Sequence, residues 1–195
     1  MSTHKQDERV FVHTVDARDT IISVNDDWLR FAEENRAPHL TRAAVLGRPL
    51  WEFIEDQHTR HLYGLVLARV RSAGTGVGFP FRCDSPEVRR FMRMELVPDE
   101  SGVVEFRCTL LREEAREERI KLLEAGTEQG AEQLLRACSW CRRIDVEGAW
   151  VEAEEAVKRL DLMAQVPTPS MTHTICNDCY AMMKNRIEPE DLPPP

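Results

Sequence analysis

The sequence predicts an α+β protein: two short strands, a helical middle and three alternating strands, then a linker helix and a small, mainly helical four-cysteine module. Two observations carry this. Apolar residues alternate with polar ones over residues 10–24 and 77–110, the period of a half-buried strand, but recur at three- and four-residue spacing between 56 and 72. Four of the six cysteines fall in two C-x-x-C pairs, Cys138-Ser-Trp-Cys141 and Cys176-Asn-Asp-Cys179, with 34 residues between them.

Val10 to Val15 reads as the first strand, residues 16–19 as a turn, and Ile21 to Val24 as the second strand. Asn25 and Asp26 suit the N-cap of a helix that places Trp28, Phe31 and Ala32 on one face and ends by Pro38. Residues 45–54 form a compact apolar turn region. A longer helix from about Asp56 to Ser72 aligns Leu62, Leu65, Val66, Arg69 and Val70, and glycines 74, 76 and 78 break it. Three strands follow. Val77, Phe79 and Phe81 alternate in the first, Met92, Met94 and Leu96 share a face of the second, and Val104, Phe106, Cys108 and Leu110 line the third. Cys83-Asp-Ser-Pro86 and Pro98-Asp-Glu-Ser-Gly102 are the turns between them.

Over residues 10–112 the chain resembles a PAS domain. The resemblance lies in Asp19-Thr-Ile-Ile-Ser-Val-Asn25 leading into Trp28 and Phe31, in Val45-Leu-Gly-Arg-Pro-Leu-Trp-Glu-Phe-Ile54, and in the closing strands. Phe79-Pro-Phe-Arg-Cys-Asp-Ser-Pro86 with Arg89, Arg90 and Met92 looks like a bacterial subset of these domains. The resemblance implies a five-stranded antiparallel sheet with helices on one face, in a domain that senses a small ligand or mediates dimerisation. The ligand is not named by the sequence. Phe79, Met92, Met94, Phe106 and Trp51 read first as core. Haem would need an axial ligand, for which His58 and His61 are the candidates; the alternative is two surface histidines. Cys83 and Cys108 sit on a turn and a strand, where small packing residues are expected rather than the reactive helical cysteine of a flavin photosensor.

Residues 113–137 form the expected helical linker. Arg112-Glu-Glu-Ala-Arg-Glu-Glu-Arg is rich in helix formers, and Leu111, Ala115, Glu118, Leu122 and Ala125 fall at alternating four- and three-residue spacing. This reads either as a solvated spacer or as a connector that helps form a homodimer. A second helix over 131–137 leads into Cys138.

Four thiolates that converge on one tetrahedral ion make a closed structural zinc site, so Cys138, Cys141, Cys176 and Cys179 are the expected zinc ligands. Residues 138–187 also resemble a C-terminal module of bacterial PAS and response-regulator proteins. The shared pattern is Cys138-Ser-Trp-Cys-Arg-Arg-Ile144, Gly148-Ala-Trp150, a helix, and His173-Thr-Ile-Cys-Asn-Asp-Cys179. With four cysteines present, His173 reads as a contact that fixes the loop rather than a ligand. The helix from about Val151 to Ala164 is amphipathic and is expected over the metal site. Arg142 and Arg143 can offset the charge of the thiolates. Residues 188–195 form a disordered tail.

The formal net charge is −8, and residues 138–195 hold ten acidic groups against six basic ones. That balance argues against a nucleic-acid backbone as partner and for a protein partner, met near Trp140 and Trp150 or on the 151–164 helix. The alternative is that both tryptophans pack the module's small core. There is no apolar leader and no run of ~18 apolar residues, so a cytoplasmic location without membrane contact is expected. No phosphate loop, nucleophile elbow or metalloprotease motif is present. The expected function is a non-enzymatic sensory and signal-transduction protein that couples a PAS input to a zinc-binding interaction module. Two alternatives stay open: a thiol redox sensor that releases zinc on oxidation, and a transcription regulator.

Overall fold

A computed structural model describes residues 9–124, 134–162 and 169–187. β1 (Val10–Val15) and β2 (Ile21–Val24) pair antiparallel; α1 (Asp26–Glu34), the short α2 (Arg42–Val45), a 3-10 turn at Leu50–Phe53 and the long α3 (Gln57–Ala73) follow. β3 (Val77–Arg82), β4 (Val88–Pro98) and β5 (Val104–Ala115) complete an antiparallel sheet in the order β2-β1-β5-β4-β3. The α+β class and the five-stranded antiparallel sheet are as expected.

Alternation sets the buried face: Phe11 and Val15 on β1, Phe79 on β3, Met92, Met94 and Leu96 on β4, and Val104 and Phe106 on β5 are all buried. Leu62, Val66 and Val70, one turn apart on α3, are buried too, and all but Phe11 and Met92 share one core. Local signals hold the helix ends. Asn25 Oδ1 accepts from the Trp28 amide at 2.9 Å, and Asp56 accepts from the Thr59 amide at 2.8 Å. α3 ends at Gly74, whose φ of 64° suits glycine. Asp19 ties three segments together: Trp51 Nε1 donates to it at 3.1 Å and Arg71 of α3 pairs with it at 2.8 Å.

The linker is not helical where it is described. β5 runs to Ala115, beyond the boundary drawn at 112, and residues 116–124 hold a single 3-10 turn at Lys121–Leu123. Register explains the change. The acidic run of β5 lies opposite the basic run of β4, with Arg90↔Glu113, Arg89↔Glu114 and Phe91↔Arg112 as partners. Arg90 pairs with Glu113 at 2.8 Å, and the Arg112 guanidinium lies 4.1 Å from the centre of the Phe91 ring. Cross-strand pairing uses the charges that a helix would have left in solvent. Residues 125–133 lie outside the described residues. The helix expected over 131–137 is replaced, from Leu134 on, by strand β6 (Leu134–Cys138).

The module is mixed rather than mainly helical. β6, β7 (Ile144–Val146), β8 (Ala149–Val151) and β9 (Ser170–Thr174) form a sheet in the order β8-β7-β6-β9, with β6 and β9 parallel. Two helices complete it, α4 (Ala153–Arg159) and α5 (Asn177–Ile187). α4 does not cover the cysteines. Its buried Ala153, Ala156 and Val157 share a second core with Ile120, Leu122, Leu135, Ala137, Ile144 and Val146. Leu135 and Ala137 point into that core, while Cys138, one residue on, turns to the other face and joins the main one. The tail at 188–195 lies outside the described residues.

Sheet domain and module share their main core, which includes Cys138, Trp140, Cys176, Cys179 and Met183 beside Phe79, Leu67 and Val66. Backbone joins them as well: the Arg82 amide at the end of edge strand β3 donates to Trp140 O at 2.7 Å, and Arg186 of α5 donates to Gly78 O. A buried ion network lies beside this seam. Arg116, whose side chain has no exposed surface, pairs with Asp84 at 2.6 Å and with Glu154 of α4. Arg82 bridges Asp84 and Glu152, the latter at 2.6 Å.

Candidate metal centre and adjoining cavity

The two C-x-x-C pairs reach one point from different elements. Cys138 ends β6, and the chain reverses tightly: the Arg142 amide donates to Cys138 O at 3.0 Å, the Cys138 amide to Arg143 O at 2.8 Å, and Arg142 takes a φ of 62°. The second pair starts α5, with Cys176 just before it and Cys179 in its first turn. The Ser139 amide donates to Thr174 O at 2.8 Å and fixes one loop against the other.

The ligand atoms of Cys138, Cys141, Cys176 and Cys179 all lie within 4.8 Å of one another, and Cys138, Cys176 and Cys179 are buried. Bonds of ~2.3 Å in a tetrahedral Zn–S₄ centre place sulfurs ~3.8 Å apart. The Cys141 and Cys176 sulfurs stand at 3.7 Å. The set therefore fits a tetrahedral thiophilic ion such as zinc. Among the described residues, these four form the metal-capable group, and His173 is not in it. Hydrogen bonds from the Cys141 and Cys179 side chains hold the Cys138 thiol far below its usual range, helped by the Cys141 and Cys176 amides. Donation to Cys138 pushes Cys141 up to about 12, and Cys179 rises for the same first reason. The thiols are coupled through these hydrogen bonds, and a divalent ion would draw the protons from the set.

Next to the cluster, between sheet and helices, lies a cavity of about 600 Å³, a size that takes a small organic ligand. Ile21, Val45, Leu50, Met94 and Phe106 give it an apolar lining. Part of its wall is the metal-bearing loop and its neighbour strand, Ser139, Trp140, Arg142 and His173, and Glu55, Asp56, Thr59, Arg82 and Asp84 add further polar groups. Trp140 is 2 % exposed and packs 5.0 Å from Phe79 and 6.0 Å from Tyr63, ring centre to ring centre. It is therefore core, not an exposed anchor for a partner; Trp150 is half-buried. Burial, and then the Arg142 charge, keep the His173 imidazole below its usual pKa.

Sequence reasoning looked for a cavity histidine on α3. His58 and His61 are exposed there and do not line the cavity. The cavity histidines are His173 on β9 and His13 on β1, the latter stacked 4.4 Å from Phe106 with both ring nitrogens buried and unpaired. Burial lowers the His13 pKa to about 4. Its place in the strand alternation, between Phe11 and Val15, was the available signal. Cys83 and Cys108 are separate from the cluster. Burial raises both thiols, Cys108 to about 12, which makes them unreactive packing groups. Arg143 pairs with Asp178 and Glu152, at 3.5 and 3.7 Å.

No family model and no curated protein sequence matches the chain. Among solved structures it is similar to a domain of an HTR-like protein from Haloarcula marismortui, at 14 % identity and a TM-score of 0.39, over 53 % of this chain and 98 % of that one. It is also similar to the Aer2 receptor of Vibrio cholerae, described as a dual PAS-heme oxygen sensor, at 13 % identity and a TM-score of 0.37, over 54 % and 96 %. A third similar structure is the PAS domain of an HTR-like protein from Haloarcula marismortui, at 19 % identity and a TM-score of 0.30, over 57 % and 84 %.

Proposed function

We propose that the chain is a non-enzymatic sensory and signal-transduction protein, in which a PAS-like sheet domain receives a small-molecule signal and a zinc-bound Cys138–Cys141–Cys176–Cys179 module passes it to a protein partner. One observation carries the reading: the cavity of the sheet domain is walled on one side by the loop that bears the first two cysteines. A ligand in that cavity touches the module directly. With Trp140 buried, the partner surface is the outer side of α4 and α5, where Tyr180 is 47 % exposed. The redox alternative draws on Cys141, the cluster cysteine that is not buried. Peroxide would take two electrons from two thiolates, leaving a disulfide, water and released zinc.

Elemental analysis of the purified protein tests the metal. One zinc per chain is expected, and Cys138→Ser should lose it. A protein that copurifies with none, and takes up none when zinc is added, refutes the reading. Loss of zinc at stoichiometric peroxide would favour the redox alternative.

A further inference from the structure

Two side chains that line this cavity carry buried nitrogens with nothing to bind. Arg142 Nε and both ring nitrogens of His13 are buried without a partner, whereas the Trp140 side chain hydrogen-bonds Tyr63. Guanidinium nitrogens only donate, and neutral imidazole donates once. Unmet buried donors are costly, and a bound acceptor would relieve the cost. Arg142 has no ion pair among the described residues, although its charge reaches both His173 and Cys83 across the cavity. The acids nearby are engaged or solvated: Asp84 is held by Arg82 and Arg116, Asp56 caps α3, and Glu55 is exposed. Arg142 therefore brings a cation with no ion pair among the described residues to a largely apolar cavity whose other charged lining groups, Arg82, Asp84, Asp56 and Glu55, are engaged or solvated.

We propose that the cavity binds a small apolar molecule with a carboxylate head, seated on Arg142, and that its binding is coupled to zinc in the cluster. The inference rests on the sensory reading above. The coupling follows from the chain itself. Arg142 follows Cys141 directly, so an ion that fixes this sulfur also fixes the cavity cation, and Trp140, between Cys138 and Cys141, is held with it against Tyr63. A ligand that needs the cation in place favours the metal-bound loop, and by reciprocity the metal favours the ligand.

The experiment uses the full chain with zinc, and decanoate as probe beside its uncharged counterpart 1-decanol. Calorimetry should find one decanoate per chain. It should bind about 10-fold or more tightly than decanol, the worth of a charge-assisted hydrogen bond. Arg142→Gln should bring decanoate down to the level of decanol and keep one zinc per chain, while Arg142→Lys keeps part of the preference. Saturating decanoate should slow zinc transfer to a chelator in the native protein but not in Arg142→Gln. Equal binding of decanoate and decanol, or zinc transfer indifferent to decanoate, overturns the proposal while metal analysis still shows the zinc. Failure of the sensory reading shows separately, as a chain that holds no zinc.

Discussion

Arg116→Met should be one of the more damaging single changes outside the apolar core. The Arg116 side chain has no exposed surface; it pairs with Asp84, itself 1 % exposed, at 2.6 Å, and with Glu154, which is 24 % exposed. Its Nε also donates to Ser85 O at 3.3 Å. Removing one partner of a buried pair costs about 3–5 kcal/mol. Neither acid is left alone, because Arg82 still donates to Asp84 at 3.1 Å and Arg89 still pairs with Glu154 at 2.9 Å. Those remaining guanidiniums, and the volume of the new methionine, place the loss at the lower end, about 3 kcal/mol. For a chain of this length that lowers the melting temperature by roughly 6–12 °C. Urea unfolding followed by circular dichroism measures the first figure and a thermal scan the second. A loss below about 1 kcal/mol would show that the network is solvated in solution and that the reasoning fails.

Two further outcomes are expected. His13 is held neutral, with its pKa lowered from 6.5 to about 4 by burial. The unfolded chain therefore takes up the proton first as the medium acidifies. Stability is fully present above pH 6.5 and falls as the pH drops toward 4, by about 3 kcal/mol in all. His13→Phe should remove that share of the slope, and an unchanged slope between pH 4 and 6.5 would refute it. The PAS resemblance also implies a homodimer, formed without the 112–125 helix because those residues are strand and turn where described. Sedimentation at micromolar concentration should find a dimer; a monomer alone would contradict it.

Much of the sheet domain was legible because its signals are local. Strand alternation marks Phe79, Met94 and Phe106 as buried, and side-chain caps at Asn25 and Asp56 begin α1 and α3. The cysteine cluster was legible from spacing alone. What the sequence hid is non-local. The run from Arg112 to Glu114 has the composition of a helix, and becomes strand because Arg89, Arg90 and Phe91 stand opposite it. Trp140 reads as either a partner anchor or part of the module's own small core, and only the structure shows that it packs on Phe79 and Tyr63 of the sheet domain. His13 reads as one polar residue in a strand, and only the cavity in front of it shows that its ring lacks a partner.

The docking of the module on β3 bears on how a shortened chain would behave. β3 is an edge of the sheet, and exposed edges invite pairing with other chains. Here the Arg82 amide and the Gly78 carbonyl are taken up by Trp140 O and Arg186, while Pro80 lacks an amide to offer. A version ending before Cys138 would free those groups beside the uncovered Phe79 ring. Such a truncation would tend toward self-association and aggregation rather than act as a tidy isolated domain, so this cysteine-rich segment also serves the solubility of the strands it covers.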